Sequence, residues 1–200
     1  MNDEAAAAGA AGSHQEDLDL ITRFLAGEVN AFERLFRKYQ CPLFSVCRQF
    51  FGNIEDAEDV LQDAFLQIYK DLRRFKGRST FFTWAYSVTV HACLTRARHR
   101  KSRDKTPAIE IRVTAPDPFR QQVRDAVLTL PDRFRMVIIL QYYQELSQEE
   151  IARVLGWSVG QVKVNVHRAR RLLREALGQE ETIPAPLEAS GRTHECGGEV

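Results

Sequence analysis

Within two turns near the end of the chain, Lys163, His167, Arg168 and Arg171 recur at helical spacing, with Gln161, Val164 and Asn165 on the same side. Ammonium, imidazole and guanidinium donors beside branched methyls suit base edges and phosphates better than they suit covalent catalysis. From Arg153 to Arg174 there are six basic residues and no acid. A solvated basic face is the plain alternative. One-signed charge on a well-capped helix pair favours DNA over it.

The elements that must hold this face are written into the flanking residues. Ser147 with Glu150 fits S-x-x-E, and Ser158 with Gln161 fits S-x-x-Q, so each pair can close a capping box. The spacing predicts a first helix over Gln148–Leu155, a turn at Gly156-Trp157-Ser158, and a long second helix. Val159, Val162, Val166, Ala169 and Leu173 form the inner stripe of that second helix. Two helices joined by a glycine turn, the second one basic, read as a helix-turn-helix.

A second chemical cluster lies earlier. Phe75, Phe81, Phe82, Trp84 and Tyr86 are followed by Arg96, Arg98, Arg100, Lys101, Arg103 and Lys105. Aromatics stack on unpaired bases and cations follow phosphates, the chemistry of single-strand capture. Packing in a core is the competing reading for Phe81 and Trp84. The Tyr86–Val90 run alternates like a strand, but Phe81, Trp84, Ala85, Val88, Ala92 and Thr95 align at helical spacing, which predicts a helix. The loop 76–80 precedes it, with Ser79 or Thr80 as its cap.

Ahead of that loop, IEDAEDVLQDAFLQIYKDLRRF predicts a helix with Ala57, Val60, Leu61, Ala64, Phe65, Ile68, Tyr69 and Leu72 inside. Glu55, Asp56, Glu58, Asp59 and Asp63 crowd its first half. Acids at a helix start complement the dipole, but five exceed that need and point also to a basic protein surface. Upstream, Asn30–Phe51 carries a stripe of Phe32, Leu35, Phe36, Tyr39, Leu43, Val46, Cys47 and Phe50, with a kink expected at Pro42. A helix capped at Ser13 is expected through LDLITRFLAG.

A hydrophobic content of 44% over 200 residues supports one or two helical cores. The net charge of +1 hides segregation: twelve acids against five bases up to Leu66, then eleven bases against two acids from Gln67 to Lys105. Cys41, Cys47, Cys93 and Cys196 have no C-x-x-C spacing and are expected as reduced thiols, not a metal site. The N-terminus lacks a basic signal region and no run is long enough for a membrane span, so a soluble cytoplasmic chain is expected. No phosphate loop, nucleophile elbow or ligand cluster points to an enzyme or a cofactor.

The expected fold class is all-α: two small helical domains joined by a flexible linker, the second containing the helix-turn-helix. Residues 1–14 are expected as a disordered leader, 15–103 as the first domain, 104–119 as the linker, 120–178 as the second domain and 179–200 as a disordered tail. Short helices at Gln121–Thr129 and from Pro131-Asp132 onward, the latter with Met136, Val137, Ile138, Leu140 and Tyr143 as core, would support the helix-turn-helix.

DAEDVLQDAFLQIYKDLRRFKGRSTFFTWAYSVTVHACLTRARHR resembles region two of bacterial RNA polymerase sigma factors of the extracytoplasmic-function group. LTLPDRFRMVIILQYYQELSQEEIARVLGWSVGQVKVNVHRARRLL resembles their region four. The resemblance implies a non-catalytic subunit that binds core RNA polymerase, at the clamp coiled coil and the flap, and directs it to promoter DNA. By position it assigns Asp56, Asp59, Gln62 and Asp63 to polymerase. It assigns Lys76, Gly77, Arg78, Ser79, Thr80, Trp84, His91, Arg96 and Arg98 to the minus-ten element. Ser158, Gln161, Lys163, Val164, His167, Arg168 and Arg171 fall to the minus-thirty-five element. Arg78 and His91 depart from the acid and the asparagine that many members carry there. An anti-sigma factor is the further partner implied. The alternative is a stand-alone helix-turn-helix regulator binding duplex DNA as a dimer.

Overall fold

The computed structural model describes residues 2–103 and 117–178. Among them every regular element is helical. The helices are α1 (Asn2–Leu25), α2 (Val29–Phe51), α3 (Ile54–Asp71), α4 (Phe81–Arg103), α5 (Pro118–Thr129), α6 (Asp132–Ile138), α7 (Gln148–Leu155) and α8 (Val159–Ala176). A 3₁₀ turn at Leu72–Arg74 ends α3, and a π turn at Ile139–Tyr143 follows α6. The expected all-α class is what the chain adopts.

Several boundaries differ from expectation, each for a physical reason. Helix α1 starts at Asn2, not at Ser13, so the stretch expected as a disordered leader is helical; Ala5–Ala8 are the strongest helix formers available. Helix α2, by contrast, runs over Val29–Phe51 with Pro42 inside it, within one residue of the predicted Asn30–Phe51; Pro42 removes one N–H donor without ending the helix. Helix α5 begins three residues early, because Asp117 accepts from the Phe119 N–H at 3.0 Å and Pro118 suits the first turn. The expected linker, 104–119, and the tail, 179–200, otherwise lie outside the described residues.

Helices α1 to α4 pack around Leu20, Leu35, Leu43, Val46, Phe50, Ile68 and Phe81, all essentially inaccessible to water. Most of the predicted stripes are buried. Tyr69 and Tyr143 are the exceptions, 46% and 36% exposed instead of inside. Cys47 and Cys93 are buried free thiols with their sulfurs 3.7 Å apart between α2 and α4. Burial, with the neighbouring sulfur, pushes the Cys93 thiol well above its ordinary pKa. Cys41 departs from the expected free thiol and is disulfide-bonded. Asp17, itself buried, ties α1 to α2 by accepting from the Tyr39 hydroxyl at 2.5 Å and from Lys38 Nζ at 2.6 Å.

In the second half, Ala126, Val127, Leu130, Phe134, Ile138, Ala169 and Leu173 make a small core of their own. Met136, Leu140, Ile151, Val154, Val162 and Val166 instead join the cluster built on α1 to α4.

Candidate DNA and polymerase interfaces

Helix α8 is held by both predicted caps. The Ser158 hydroxyl accepts from the Gln161 N–H at 3.2 Å, and the Gln161 side-chain Oε1 accepts from the Ser158 N–H at 2.8 Å. At α7 the Ser147 hydroxyl accepts from the Glu150 N–H at 3.2 Å, while Glu150 accepts from the Ser147 N–H at 2.9 Å. Between them Gly156 adopts φ +67°, a left-handed turn that a β-carbon would strain. Val162, Val166, Ala169 and Leu173 point inward. Gln161, Lys163, Val164, His167, Arg168 and Arg171 all face solvent, Val164 with 49% of its surface exposed. A branched apolar side chain left in water among cations is matched by a thymine methyl flanked by phosphates. Ser158 and Gln161 already spend an oxygen each on the cap, so Gln161 retains only its amide N–H₂ for a ligand. Arg171 Nε lies 3.6 Å from Glu175 Oε1, a loose contact between exposed groups.

The loop before α4 is open. Lys76, Gly77 and Arg78 are exposed, and Gly77 is left-handed at φ +65°. Ser79 and Thr80 are half-buried, and Thr80 caps α4 by accepting from the Thr83 N–H at 3.2 Å. Phe81 is core, at 1% exposure. Trp84 is between the two readings: its ring lies 5.3 Å from Phe75 and 5.8 Å from Phe81, yet it also lines an open groove between α3 and α4. That groove continues past His91 and Arg96 to His99, with Asp63, Gln67 and Asp71 on the opposite wall. Arg98 is exposed, its guanidinium turned back to Thr95 Oγ1 at 3.1 Å and the Leu94 carbonyl at 3.3 Å.

Asp56, Asp59, Gln62 and Asp63 line the outer side of α3, but they are not equivalent. Asp56 is partly spent: its N–H is capped by Asn53 at 2.8 Å, and its carboxylate accepts from Arg100 at 2.8 Å. Asp59 accepts from Arg96 at 3.1 Å while staying largely exposed. Gln62 and Asp63 face solvent. The structure therefore joins two sets that the sequence kept apart, the acids of α3 and the arginines of α4. It also adds Leu66 and Tyr69, 50% and 46% exposed on the same helix, with Phe24 and Phe32 edge-on to Tyr69. Periodicity placed Tyr69 inside, because an aromatic at an inner position and one at its margin look alike in sequence. The groove residues Gln67, Asp71, Thr95 and His99 were also missed; the three-to-four-residue recurrence of polar positions on the two helices was the available signal.

Sigma-70 region 2 matches residues 35–103, and Sigma-70, region 4 matches residues 120–173. The chain is 31% identical to the ECF RNA polymerase sigma factor SigW of Bacillus subtilis, over 78% of this chain and 94% of that one. It is 30% identical to the RNA polymerase sigma-H factor of Pseudomonas aeruginosa, over 82% and 95% of the two chains. Among solved structures, CnrH in complex with the cytosolic domain of CnrY superposes with TM-score 0.62 at 25% identity, over 83% of this chain and 99% of that one. RpoE of Bartonella quintana, solved with the anti-sigma factor NepR, shares the fold with TM-score 0.63 over 76% of this chain and all of that one. Region-two and region-four matches in this order, on relatives that align nearly end to end, place the chain in the extracytoplasmic-function group of RNA polymerase sigma factors, which direct transcription initiation.

Proposed function

We propose that the two helical units divide the promoter as the sequence assigns. Lys76–Thr80, Trp84, His91, Arg96 and Arg98 capture and hold the melted minus-ten strand. Lys163, Val164, His167, Arg168 and Arg171 read the minus-thirty-five element in duplex form. The α3 side chains Asp59, Gln62 and Asp63, with Asp56 behind them, dock on the clamp coiled coil of core polymerase, while region four meets the flap. The chain works without catalysis of its own and in the cytoplasm. No helix among the described residues is long and apolar enough to cross a membrane.

The observation that carries this reading is the exposed, acid-free face of α8 from Gln161 to Arg168, set on two complete capping boxes. Run-off transcription with core polymerase over a matched promoter library tests it. Core-dependent initiation from a restricted promoter set is the expected result, and binding to duplex half-sites as a dimer without polymerase would refute it. The two family matches, which account for both halves, disfavour that stand-alone regulator. CnrH was solved with the cytosolic domain of CnrY and RpoE with the anti-sigma factor NepR, which supports an anti-sigma partner for this chain as well.

A further inference from the structure

Two nucleophilic side chains lie outside every surface described above. Cys47 of α2 and Cys93 of α4 are fully buried free thiols with no place in the polymerase or promoter contacts. The Cys93 thiol donates to Cys47 Sγ at 3.7 Å, so the sulfurs touch across the packed α2–α4 interface. Their buried neighbours along the two helices are apolar, Leu43, Val46 and Phe50 on one, Val90 and Ala97 on the other. A single buried cysteine is a small apolar side chain. Two that meet sulfur to sulfur have a further chemistry, because a disulfide places them about 2.05 Å apart, roughly 1.7 Å closer than they stand.

We propose that Cys47 and Cys93 are a reversible oxidation site, which a hydroperoxide converts to a disulfide that staples α2 to α4 and restrains the promoter-facing helix. Cys47, the acceptor of the thiol contact, gives up its proton and its thiolate attacks one peroxide oxygen. The O–O bond breaks, leaving a sulfenic acid on Cys47 and releasing water. Cys93 sulfur then attacks the Cys47 sulfur, the S–O bond breaks, and the departing hydroxide takes the Cys93 proton as a second water. Two thiols are oxidised and one peroxide is reduced.

Burial keeps the site quiet in the closed fold. Desolvation above all, with the neighbouring sulfur, holds the Cys93 thiol well above its ordinary pKa, so thiolate is scarce at neutral pH. Oxidation therefore waits on local opening, and each helix carries a weak point near its cysteine. Pro42, five positions before Cys47, contributes no N–H to the α2 ladder. Thr89, four before Cys93, donates its hydroxyl to the Ala85 carbonyl at 3.0 Å, back-bonding that loosens a helix. Cys93 lies between Trp84 and His91 on one side and Arg96 and Arg98 on the other. Drawing the sulfurs together shifts α4 and the groove that Trp84, His91 and Arg96 line. In a reducing compartment such a bond is transient, the property of a sensor and not of a strut. Its effect on transcription rests on the sigma-factor reading above; the bond itself does not.

The full chain with Cys41→Ser and Cys196→Ser leaves Cys47 and Cys93 as its only thiols. Reduced protein is treated with hydrogen peroxide and followed by intact mass, thermal unfolding and run-off transcription with core polymerase. The expected product is a monomer lighter by two hydrogens, with no thiol to alkylate after denaturation, and dithiothreitol restores the starting mass. Closing a loop across 46 positions should raise its Tm by at least about 5 °C. Transcription should fall several-fold and recover on reduction, while Cys47→Ala or Cys93→Ala in the same background keeps its activity in peroxide. Two alkylatable thiols after peroxide, sulfinic acid without a disulfide, a bond between chains, or an unchanged Tm would overturn the staple. Unchanged transcription by oxidised protein that transcribes when reduced would overturn the restraint on α4. Reduced protein that does not transcribe at all marks a failure of the sigma-factor reading, and mass and Tm still decide the bond.

Discussion

Arg96 Nη2 stands 3.1 Å from Asp59 Oδ2 and 3.7 Å from Asp56 Oδ1, so a side chain assigned to promoter DNA is held by two assigned to polymerase. Arg100 adds a contact of 2.8 Å to Asp56, and the four groups form one array across α3 and α4. Arg96 and Asp59 are well exposed, and pairs of that kind contribute about 0–1 kcal/mol. Partners bound so weakly are exchanged at low cost. A basic polymerase surface on Asp59 would leave Arg96 to a phosphate, which couples the two events through one carboxylate.

Charge reversal on α3 is the direct check of the docking assignment. Asp59→Lys with Asp63→Lys should weaken core-polymerase affinity at least tenfold, about 1.4 kcal/mol, with helical content unchanged. Fluorescence titration of labelled protein with core enzyme measures it. Equal affinity would remove these residues from the interface.

Arg168→Ala separates base reading from phosphate holding. If Arg168 reads a base, specificity at one minus-thirty-five position should relax by about 1–3 kcal/mol and other positions should be unaffected. If it holds phosphate, all sequences should weaken alike and the salt slope should fall by about one. Competition binding of holoenzyme across single-base promoter variants, at two salt concentrations, decides between them.

The α8 cap should matter to stability as well as to reading. Ser158→Ala leaves the Gln161 N–H without its acceptor and should cost about 0.5–2 kcal/mol. Ser158→Asn should recover most of that. Chemical denaturation of the two variants beside wild type is the measurement, and no loss in the alanine variant would contradict the capping geometry.

Alkaline pH should cost stability at Tyr86, whose hydroxyl donates to Gln144 Oε1 at 2.9 Å. Burial, and secondarily the nearby Glu150 carboxylate, holds the Tyr86 phenol above its ordinary pKa. Because the folded value lies above the unfolded one, near 10, the contribution is complete below about pH 10 and lost as pH rises beyond it. Stability followed from pH 8 to 11 should therefore fall more steeply in wild type than in Tyr86→Phe. Parallel curves would show that the Tyr86 phenol carries no such linkage.

Much of this protein is legible residue by residue. The capping pairs Ser147/Glu150 and Ser158/Gln161, the left-handed Gly156, the inner stripes of α2 and α8 and the outward cations of α8 involve groups within a turn of one another. Helix geometry alone relates them, so spacing was enough to place them and to point to the family. What spacing could not supply are relations between residues far apart in the chain. Arg96 meets Asp59 across 37 positions, Tyr86 meets Gln144 across 58, and Arg135 meets the Phe50 carbonyl across 85. The exposure of Tyr69, the burial of Phe81 and the docking of α7 on α4 depend in the same way on which faces the other helices cover. Local hydrogen bonding and periodicity determined the helices and their chemistry. Only the competition among apolar faces for a common core decided which of those chemistries share a surface.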